Sequence, residues 1–396
     1  MTVPTLTAVR MSPERADPRP LVVLGPSLGV STRLWQTVAA DLAQDFDVVA
    51  WDLPGHGVSA PASDAFSIGD LATAVLDVVD RLGATRFSYA GDSVGGAVGL
   101  QLAVQAPDRV AAVAVVCSGA RIGDAQMWAD RAATVRRSGT PVMIAAASQR
   151  WFAPGFLDRA PEVGGALLGD LQHTDAESYA LACGALADFD AHDRLSEIAV
   201  PVLAISGALD VAAPPELGRR VADGVQRGRF VELPGVAHLA PVEAPAQTAA
   251  LLRDLLTAQR TQAEVYDAGM AVRREVLGAV HVDRATAAID ETTRDFQTLI
   301  TRYAWGSIWT RPGLDRRSRS MITLTALIAH GHWEELAMHT RAALTNGLTR
   351  AEITEVVLQS AIYCSVPSAN SAFRVVQTVF RELDATDATH SETGRE

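Results

Sequence analysis

A serine flanked by glycines is the residue of this sequence whose surroundings point most directly to chemistry. Residues 91–95 are Gly-Asp-Ser-Val-Gly, the Gly-x-Ser-x-Gly pattern in which small neighbours leave room for a serine on a sharp turn from a strand into a helix. A serine hydroxyl becomes a good nucleophile only when a base accepts its proton and an acid orients that base. Ser93 therefore predicts a hydrolase site that also contains a histidine and a carboxylate.

The acid and the base are expected later in the chain, in that order. Asp210 and His238 each follow a predicted strand, so both should reach the sheet edge that carries Ser93. Alone, a loop aspartate is usually a helix cap and a single histidine is usually structural, but their joint placement favours a Ser-His-Asp triad. The backbone N–H groups of Leu28 and Val94 are predicted to form the oxyanion hole, because both lie in turns at the same edge.

His332, Glu335 and His339 form a second candidate group. Their spacing of three and four residues predicts that they share one face of a helix. Three interpretations fit this spacing: a metal site, a polar face in contact with water, and a cofactor-free acid–base pair in which Glu335 orients His339 or shares a proton with it. The residues by themselves leave all three open.

The elements that must position the first group alternate between strands and helices, which predicts a doubly wound α/β sheet in residues 1–260. Most of the strands are continuous apolar runs, as expected of parallel strands buried on both faces. The six predicted strands are Leu21–Leu24, Phe46–Trp51, Phe87–Ala90, Ala111–Cys117, Val200–Ser206 and Phe230–Leu233. Only helical patterns occur between about residues 122 and 195, which predicts a lid over the carboxyl edge of the sheet, where ligands of such folds bind.

The patterns in residues 261–385 predict an all-α domain. The predicted fold class of the whole chain is therefore α/β plus all-α. The stretch Ala249–Gly278 contains no proline and predicts a helix at the domain boundary near residue 260. Further helices are predicted at Ala285–Tyr303, Arg316–His330, Trp333–Asn346, Arg350–Tyr363 and Ser368–Glu382. The polar tail, residues 386–396, is expected to be disordered.

The charged residues narrow both the chemistry and the partners. All 34 positively charged residues are arginines, which excludes chemistry that needs lysine, such as a Schiff base or a phosphate-loop lysine. The 46 acidic residues give a net charge of −12, which argues against nucleic acid as a partner. Three widely spaced cysteines predict a reducing compartment, and neither a signal peptide nor an apolar run long enough for a membrane helix is found. We expect a cytoplasmic protein with no membrane partner.

The motifs of the first domain resemble those of the α/β-hydrolases and, among them, the 3-oxoadipate enol-lactonases. Besides the serine turn, the resemblance rests on Ser27-Leu28-Gly29 after the first core strand and on Met127-Trp128 with Arg131 in the lid. It implies that Trp128 and Arg131, three residues apart on a helix, offer an apolar wall and a cation to a substrate carboxylate. The residues themselves also allow a packed tryptophan beside a solvated arginine.

Residues 262–383 resemble the carboxymuconolactone decarboxylases. The matches include Tyr266-Asp267, Gly269-Met270, Arg273-Arg274, Ala304-Trp305-Gly306, His339-x-Arg341-Ala342-Ala343 and Asn346-Gly347. The resemblance implies a reaction without metal or cofactor, because the substrate lactone itself accepts the electron pair that decarboxylation releases. It favours the acid–base pair, with His339 as proton donor beside Glu335, and it suggests Trp305 as a pocket wall.

An arginine is expected to hold a substrate carboxylate in this second domain, because its planar fork forms two hydrogen bonds to a carboxylate at once. Arg274 is one candidate for this role, and the sequence does not rank it above the others. The remaining candidates are Arg302 and Arg319 for the same role and Tyr363 for the pocket wall.

Together the two resemblances imply a bifunctional enzyme of protocatechuate breakdown, because the decarboxylase product is the lactone that the hydrolase opens. Its partners would be small lactone carboxylates, and the helical domain suggests a homo-oligomer. Two alternatives remain. The hydrolase could act on another ester or lactone, and the helical domain could be a non-catalytic oligomerisation module.

Overall fold

The structure is a computed structural model that describes residues 2–14, 19–258, 262–311 and 313–393. The chain divides into two compact units, Met1–Arg260 and Thr261–Glu396. The helix predicted across the boundary corresponds to two helices, Pro245–Thr257 and Gln262–Leu277, and residues 259–261 of that prediction lie outside the described residues. In the described ranges, no helix is long and apolar enough to cross a membrane.

A seven-stranded sheet forms the centre of the first unit. Its strands are β1 Thr7–Arg10, β2 Leu21–Gly25, β3 Asp47–Asp52, β4 Phe87–Asp92, β5 Val110–Val116, β6 Val202–Gly207 and β7 Gly228–Leu233. They lie in the order β1-β3-β2-β4-β5-β6-β7, all parallel except β1, which runs antiparallel to β3. The prediction identified β2 to β7 and missed β1. This edge strand is only partly buried, so it lacks the continuous apolar run that reveals the inner strands.

Helices cover this sheet, and β2, β4, β5 and β6 are therefore buried at every position. They are α1 Gln36–Leu42, α2 Ile68–Arg81, α3 Val94–Gln105, α4 Ala125–Ser138, α5 Ile144–Trp151, α6 Phe156–Arg159, α7 Pro161–His173, α8 Ala176–Ala187, α9 Pro215–Gly224, α10 Ala240–Glu243 and α11 Pro245–Thr257. Between β5 and β6 the regular elements are all helical in this described stretch, α4 to α8 among them, as the lid prediction requires.

The second unit is helical throughout its described residues, which confirms the predicted fold class. Its helices are α12 Gln262–Leu277, α13 Ala279–Ala287, α14 Arg294–Ile300, a π-helix Thr301–Trp309, α15 Arg316–His330, α16 Trp333–Thr345, α17 Arg350–Tyr363 and α18 Val366–Thr393. The π-helix lies close against α12. A Cβ on Gly269 would come within 2.9 Å of the backbone nitrogen of Gly306, and one on Gly306 within 2.9 Å of the Val265 side chain, so two glycines permit this contact.

Two predictions for this unit, one of a helix and one of a disordered tail, are wrong. The single helix expected from 285 to 303 is interrupted after Ala287, where the side chains of Asp290 and Thr293 accept hydrogen bonds from each other's backbone N–H groups in the turn before α14. The tail expected to be disordered continues α18 as far as Thr393. It contains neither proline nor glycine before Gly394, so nothing in its sequence stops the helix.

Candidate active sites

Ser93 occupies a strained turn between β4 and α3. Its φ of 52° is unusual for a residue other than glycine, and the turn is fixed by a hydrogen bond from the Ser93 N–H to the Val116 carbonyl, 2.9 Å long. The neighbouring glycines are required by space, because a Cβ on Gly95 would lie 2.7 Å from the backbone of Gly25. This packing holds the Ser93 hydroxyl at the carboxyl edge of the sheet.

His238 and Asp210 form a buried pair at the same edge. The Nδ1 of His238 lies 2.9 Å from Oδ2 of Asp210, and the two side chains are 5% and 0% exposed. The other carboxylate oxygen, Oδ1, accepts the backbone N–H groups of Ala212 and Ala213 at 2.8 and 2.9 Å. Burial lowers the pKa of His238, but the charge and the hydrogen bond of Asp210 outweigh it, so that the pKa is raised. With Nδ1 bound to Asp210, Nε2 is the nitrogen left to act on Ser93.

A pocket joins the turn, the histidine and the lid. It is lined by Ser27, Leu28, Ser93, Ile122, Met127, Trp128, Arg131, Met143, Ala146, Ala147, Arg150, Trp151, Ala212 and His238. The loop that carries Leu28 is tied to the serine turn by the Gly95 N–H, which donates to the Pro26 carbonyl at 2.9 Å. Among the described residues, the backbone N–H groups of Leu28 and Val94 donate to no other group, which leaves both available for an oxyanion.

Trp128 and Arg131 both face this pocket. The Trp128 indole is 5% exposed and donates to the Ile122 carbonyl at 2.6 Å. The Arg131 guanidinium lies 5.4 Å from the centre of the Trp128 ring and 5.5 Å from that of Tyr179, and its Nε is buried without a partner. Arg131 is therefore placed between aromatic rings rather than in solvent. Arg150 also lines the pocket, and no pattern in the sequence distinguishes it from the other arginines of the lid.

The second candidate group is only partly brought together. His332 is the residue before α16 and has a ψ of 80°, so it does not continue the helical face of Glu335 and His339. Its ring stacks instead on His330, with 5.9 Å between the ring centres. In the part of the chain that the structure describes, no three His, Cys, Asp or Glu side chains are arranged to hold a metal ion.

His339 lies on α16 and is partly buried. Burial lowers its pKa to about 4, and the charge of His281 contributes to the lowering, whereas the charge of Glu335 opposes it. His339 is therefore neutral near pH 7. His281, on α13, was not selected from the sequence, because a single histidine on a short helix carries no distinguishing pattern. Its pKa is lowered by burial and by the charges of Arg284 and Arg273.

The arginines selected for the second unit are placed differently from one another. Arg274 is exposed and forms an ion pair with Asp283 at 2.6 Å, Arg319 donates to the carbonyls of Leu314 and Arg311, and Arg302 has a buried Nε without a partner.

The aromatic residues chosen as pocket walls also differ. Trp305 is 7% exposed and packs with Val272, Val276 and Ala342. Tyr363 is 78% exposed and so does not form part of that apolar cluster.

Comparison with known proteins assigns a family to each unit. The model of the alpha/beta hydrolase fold family matches residues 20–245, and that of the carboxymuconolactone decarboxylase family matches residues 294–378. The 3-oxoadipate enol-lactonase 2 of Acinetobacter baylyi is 34% identical over 227 residues, which are 57% of this chain and 85% of that protein. The solved structure of the enol-lactonase from Burkholderia xenovorans LB400 is 34% identical with a TM-score of 0.62, covering 64% of this chain and 96% of the other.

Two curated relatives correspond to the second unit. The 4-carboxymuconolactone decarboxylase of Acinetobacter baylyi is 42% identical over 118 residues, which are 30% of this chain and 88% of that protein. The nitrosuccinic acid decarboxylase npaB of Metarhizium robertsii is 44% identical over 119 residues, which are 30% of this chain and 83% of the relative.

Proposed function

We propose that this chain, which belongs to the α/β-hydrolase fold family through its first unit and to the carboxymuconolactone decarboxylase family through its second, catalyses two successive reactions. The second unit decarboxylates 4-carboxymuconolactone to 3-oxoadipate enol-lactone, and the first unit hydrolyses that lactone to 3-oxoadipate. This conclusion rests on one observation: the chain contains one unit related to each enzyme, and the product of the decarboxylase is the substrate of the enol-lactonase. No lysine and no cofactor is needed by either reaction.

In the first unit, Ser93 attacks the lactone carbonyl while Nε2 of His238 accepts its proton, and Asp210 holds His238 in the required tautomer. The oxyanion forms between the N–H groups of Leu28 and Val94, which are free to bind it. Ring opening leaves the enol of the product, which becomes the ketone, and water then releases the acyl group from Ser93. Arg131, which faces the pocket between two aromatic rings, is suited to the carboxylate that the lactone retains.

In the second unit, a carboxylate leaves the substrate as CO2 and its bonding electrons pass through the conjugated double bond into the lactone carbonyl. The resulting dienolate takes one proton on the carbon next to that carbonyl, so CO2 is exchanged for a proton. The site must therefore bind carboxylates, stabilise an enolate and supply a proton. We assign the proton to His339, with Glu335 four residues earlier on the same helix.

The low pKa of His339 is compatible with this role once the substrate is considered. Burial is the main cause that lowers the pKa of His339 to about 4. A substrate with two carboxylates brings negative charge beside the imidazole, which raises its pKa again. His339 would then acquire its proton together with the substrate.

A homo-oligomer formed through the second unit is also proposed. Its surface exposes large apolar side chains, among them Tyr363 at 78%, Ile362 at 77% and Tyr303 at 67%, and exposed apolar patches commonly mark interaction surfaces. Light scattering of the purified protein at several concentrations tests this directly, and a monomer at all concentrations would refute it. A cytoplasmic location is consistent with the free thiols of Cys117, Cys183 and Cys364.

The decisive experiment supplies 4-carboxymuconolactone to the whole protein and follows CO2 and 3-oxoadipate together. Both should appear in wild type, whereas Ser93→Ala should release CO2 and accumulate the enol-lactone. Nitrosuccinate is tested in parallel, because the 44% identical relative carries that substrate in its name. If the protein hydrolyses added enol-lactone but releases no CO2 from 4-carboxymuconolactone, the result supports the alternative, in which the helical unit is a non-catalytic oligomerisation module.

A further inference from the structure

Several of the fourteen arginines of the second unit are neutralised by acids at its surface. Five ion pairs account for this: Arg274 with Asp283, Arg316 with Glu275, Arg317 with Glu352, Arg341 with Glu382 and Arg350 with Asp384. Such exposed pairs contribute little to stability and leave their guanidinium groups without a free charge to offer a ligand.

Arg273 departs from this pattern. It is 7% exposed and is the only arginine among the buried polar residues of the described part of the unit. Its Nη1 donates to two neutral oxygens, the Gln297 amide at 3.2 Å and the Thr301 hydroxyl at 3.4 Å. Its Nε is buried without a partner, and no carboxylate among the described residues pairs with it.

A buried guanidinium without a counter-ion is unfavourable, because its lost hydration is not replaced by an opposite charge. Burial accordingly lowers the pKa of Arg273. Five other arginines of this unit have a carboxylate partner, whereas Arg273 has none among the described residues. The unpaired charge and the free Nε are what an anionic ligand would complete.

Arg273 lies near the residues of the second candidate group. Its charge acts on His281 of α13, and His281 acts in turn on His339 of α16. Val272 and Val276 of α12 and Ala342 of α16 form an apolar cluster with Trp305. Arg273 thus lies on the helix that carries part of this apolar cluster and within electrostatic reach of His281, which in turn is within electrostatic reach of His339.

We propose that Arg273 binds the carboxylate that the substrate keeps, and that His281 and His339 complete an anion site beside it. This inference rests on the proposed decarboxylation. The departing carboxylate is assigned to the apolar cluster of Val272, Val276 and Trp305. An arginine on that group would stabilise it in the ground state and oppose loss of CO2, whereas an apolar wall favours neutral CO2 over the carboxylate.

The test compares single variants of the full-length protein. Arg273→Met removes the charge but keeps an unbranched apolar chain. Arg274→Met and Arg302→Met remove two of the other candidate arginines. Arg350→Met removes a surface arginine paired with Asp384 and is the matched control. Each variant is measured for CO2 release from 4-carboxymuconolactone, for binding of succinate as an unreactive dicarboxylate, and for its unfolding temperature.

We expect Arg273→Met to lower kcat/KM for CO2 release and the succinate affinity by about 10- to 100-fold, the effect of losing a charge-assisted carboxylate contact. Arg350→Met should stay within about twofold of wild type, a margin typical of an exposed pair. Arg273→Met should also unfold at the same or a higher temperature, because it removes an unpaired buried charge. A residue with a merely structural role would show a lower unfolding temperature.

Three results would overturn the inference: an unaltered succinate affinity in Arg273→Met, a lower unfolding temperature that accompanies its loss of activity, or a loss confined to Arg274→Met or Arg302→Met. If wild type releases no CO2 from the lactone, the proposed decarboxylation fails. The anion site is then still decided by whether succinate binding is present in wild type and lost in Arg273→Met.

Discussion

Asp210→Asn tests how the buried pair of the first unit orients its histidine. In wild type, Oδ1 of Asp210 accepts two backbone N–H groups at 2.8 and 2.9 Å, and Oδ2 faces Nδ1 of His238 at 2.9 Å. An asparagine must place its NH2 group at one of these two positions. Facing the two backbone donors would forfeit two hydrogen bonds, at about 1–3 kcal/mol each. The NH2 group is therefore expected to face His238.

This orientation forces the wrong histidine tautomer. An NH2 group donates to Nδ1, so the ring proton moves to Nε2, which can then no longer accept the proton of Ser93. From the corresponding change in serine proteases, we expect the hydrolysis rate to fall by about 10⁴-fold, or about 5 kcal/mol of transition-state stabilisation. CO2 release by the second unit should stay unaltered, because none of its residues is touched.

The assay follows opening of the enol-lactone under saturating substrate, with Asp190→Asn as control. Asp190 pairs with His192 at 2.7 Å in the same chemical arrangement, but both residues are exposed, so its loss should change the rate by less than about twofold. If Asp210→Asn retained more than about a tenth of wild-type activity, the tautomer argument would be refuted, and His238 would need another orienting group.

Three further predictions follow from the geometry. Gly95→Ala should abolish hydrolysis or folding of the first unit, since its Cβ would lie 2.7 Å from backbone; a normal circular dichroism spectrum with full activity would contradict the packing. Arg131→Met should raise the KM for the enol-lactone by about 10- to 100-fold but leave the KM for a neutral lactone unchanged. The control Arg136→Met removes an exposed partner of Glu177 and should alter neither KM. Near pH 5–6, the protein should take up a proton when it binds succinate, because the pKa of His339 is about 4 without the anion and rises beside one. Calorimetry in two buffers of different ionisation enthalpy measures this uptake. Proton uptake that persists in His339→Gln would exclude His339 as the titrating group.

The positions of Ser93, Asp210 and His238 could be predicted from the sequence because each follows a buried strand. Parallel strands carry their ends to the same edge of a sheet, so chain order alone places the three residues near one another. The lid could be predicted for a similar reason, since helical periodicity is a local property. The edge strand β1 could not be predicted, because four partly buried residues carry no comparable pattern.

Prediction failed where a single residue step changes the environment. Arg273 and Arg274 are adjacent and chemically identical, yet one is 7% exposed and the other forms an exposed ion pair. Successive residues of a helix point about 100° apart, so the choice depends on how α12 packs. His332 is a comparable case. It has the spacing of a helical residue, but the helix begins one residue later and turns its ring towards His330.

The sequence by itself determined the two families, the order of the two units and the residues proposed as a triad, because motifs and strand order are properties of the chain. Tertiary structure alone decided which charges are neutralised and which are left free. The unpartnered Nε atoms of Arg131 and Arg273 and the lowered pKa of His339 arise from burial and from neighbours distant in sequence. Desolvation and charge pairing depend on what surrounds a group in space, and no local pattern records that.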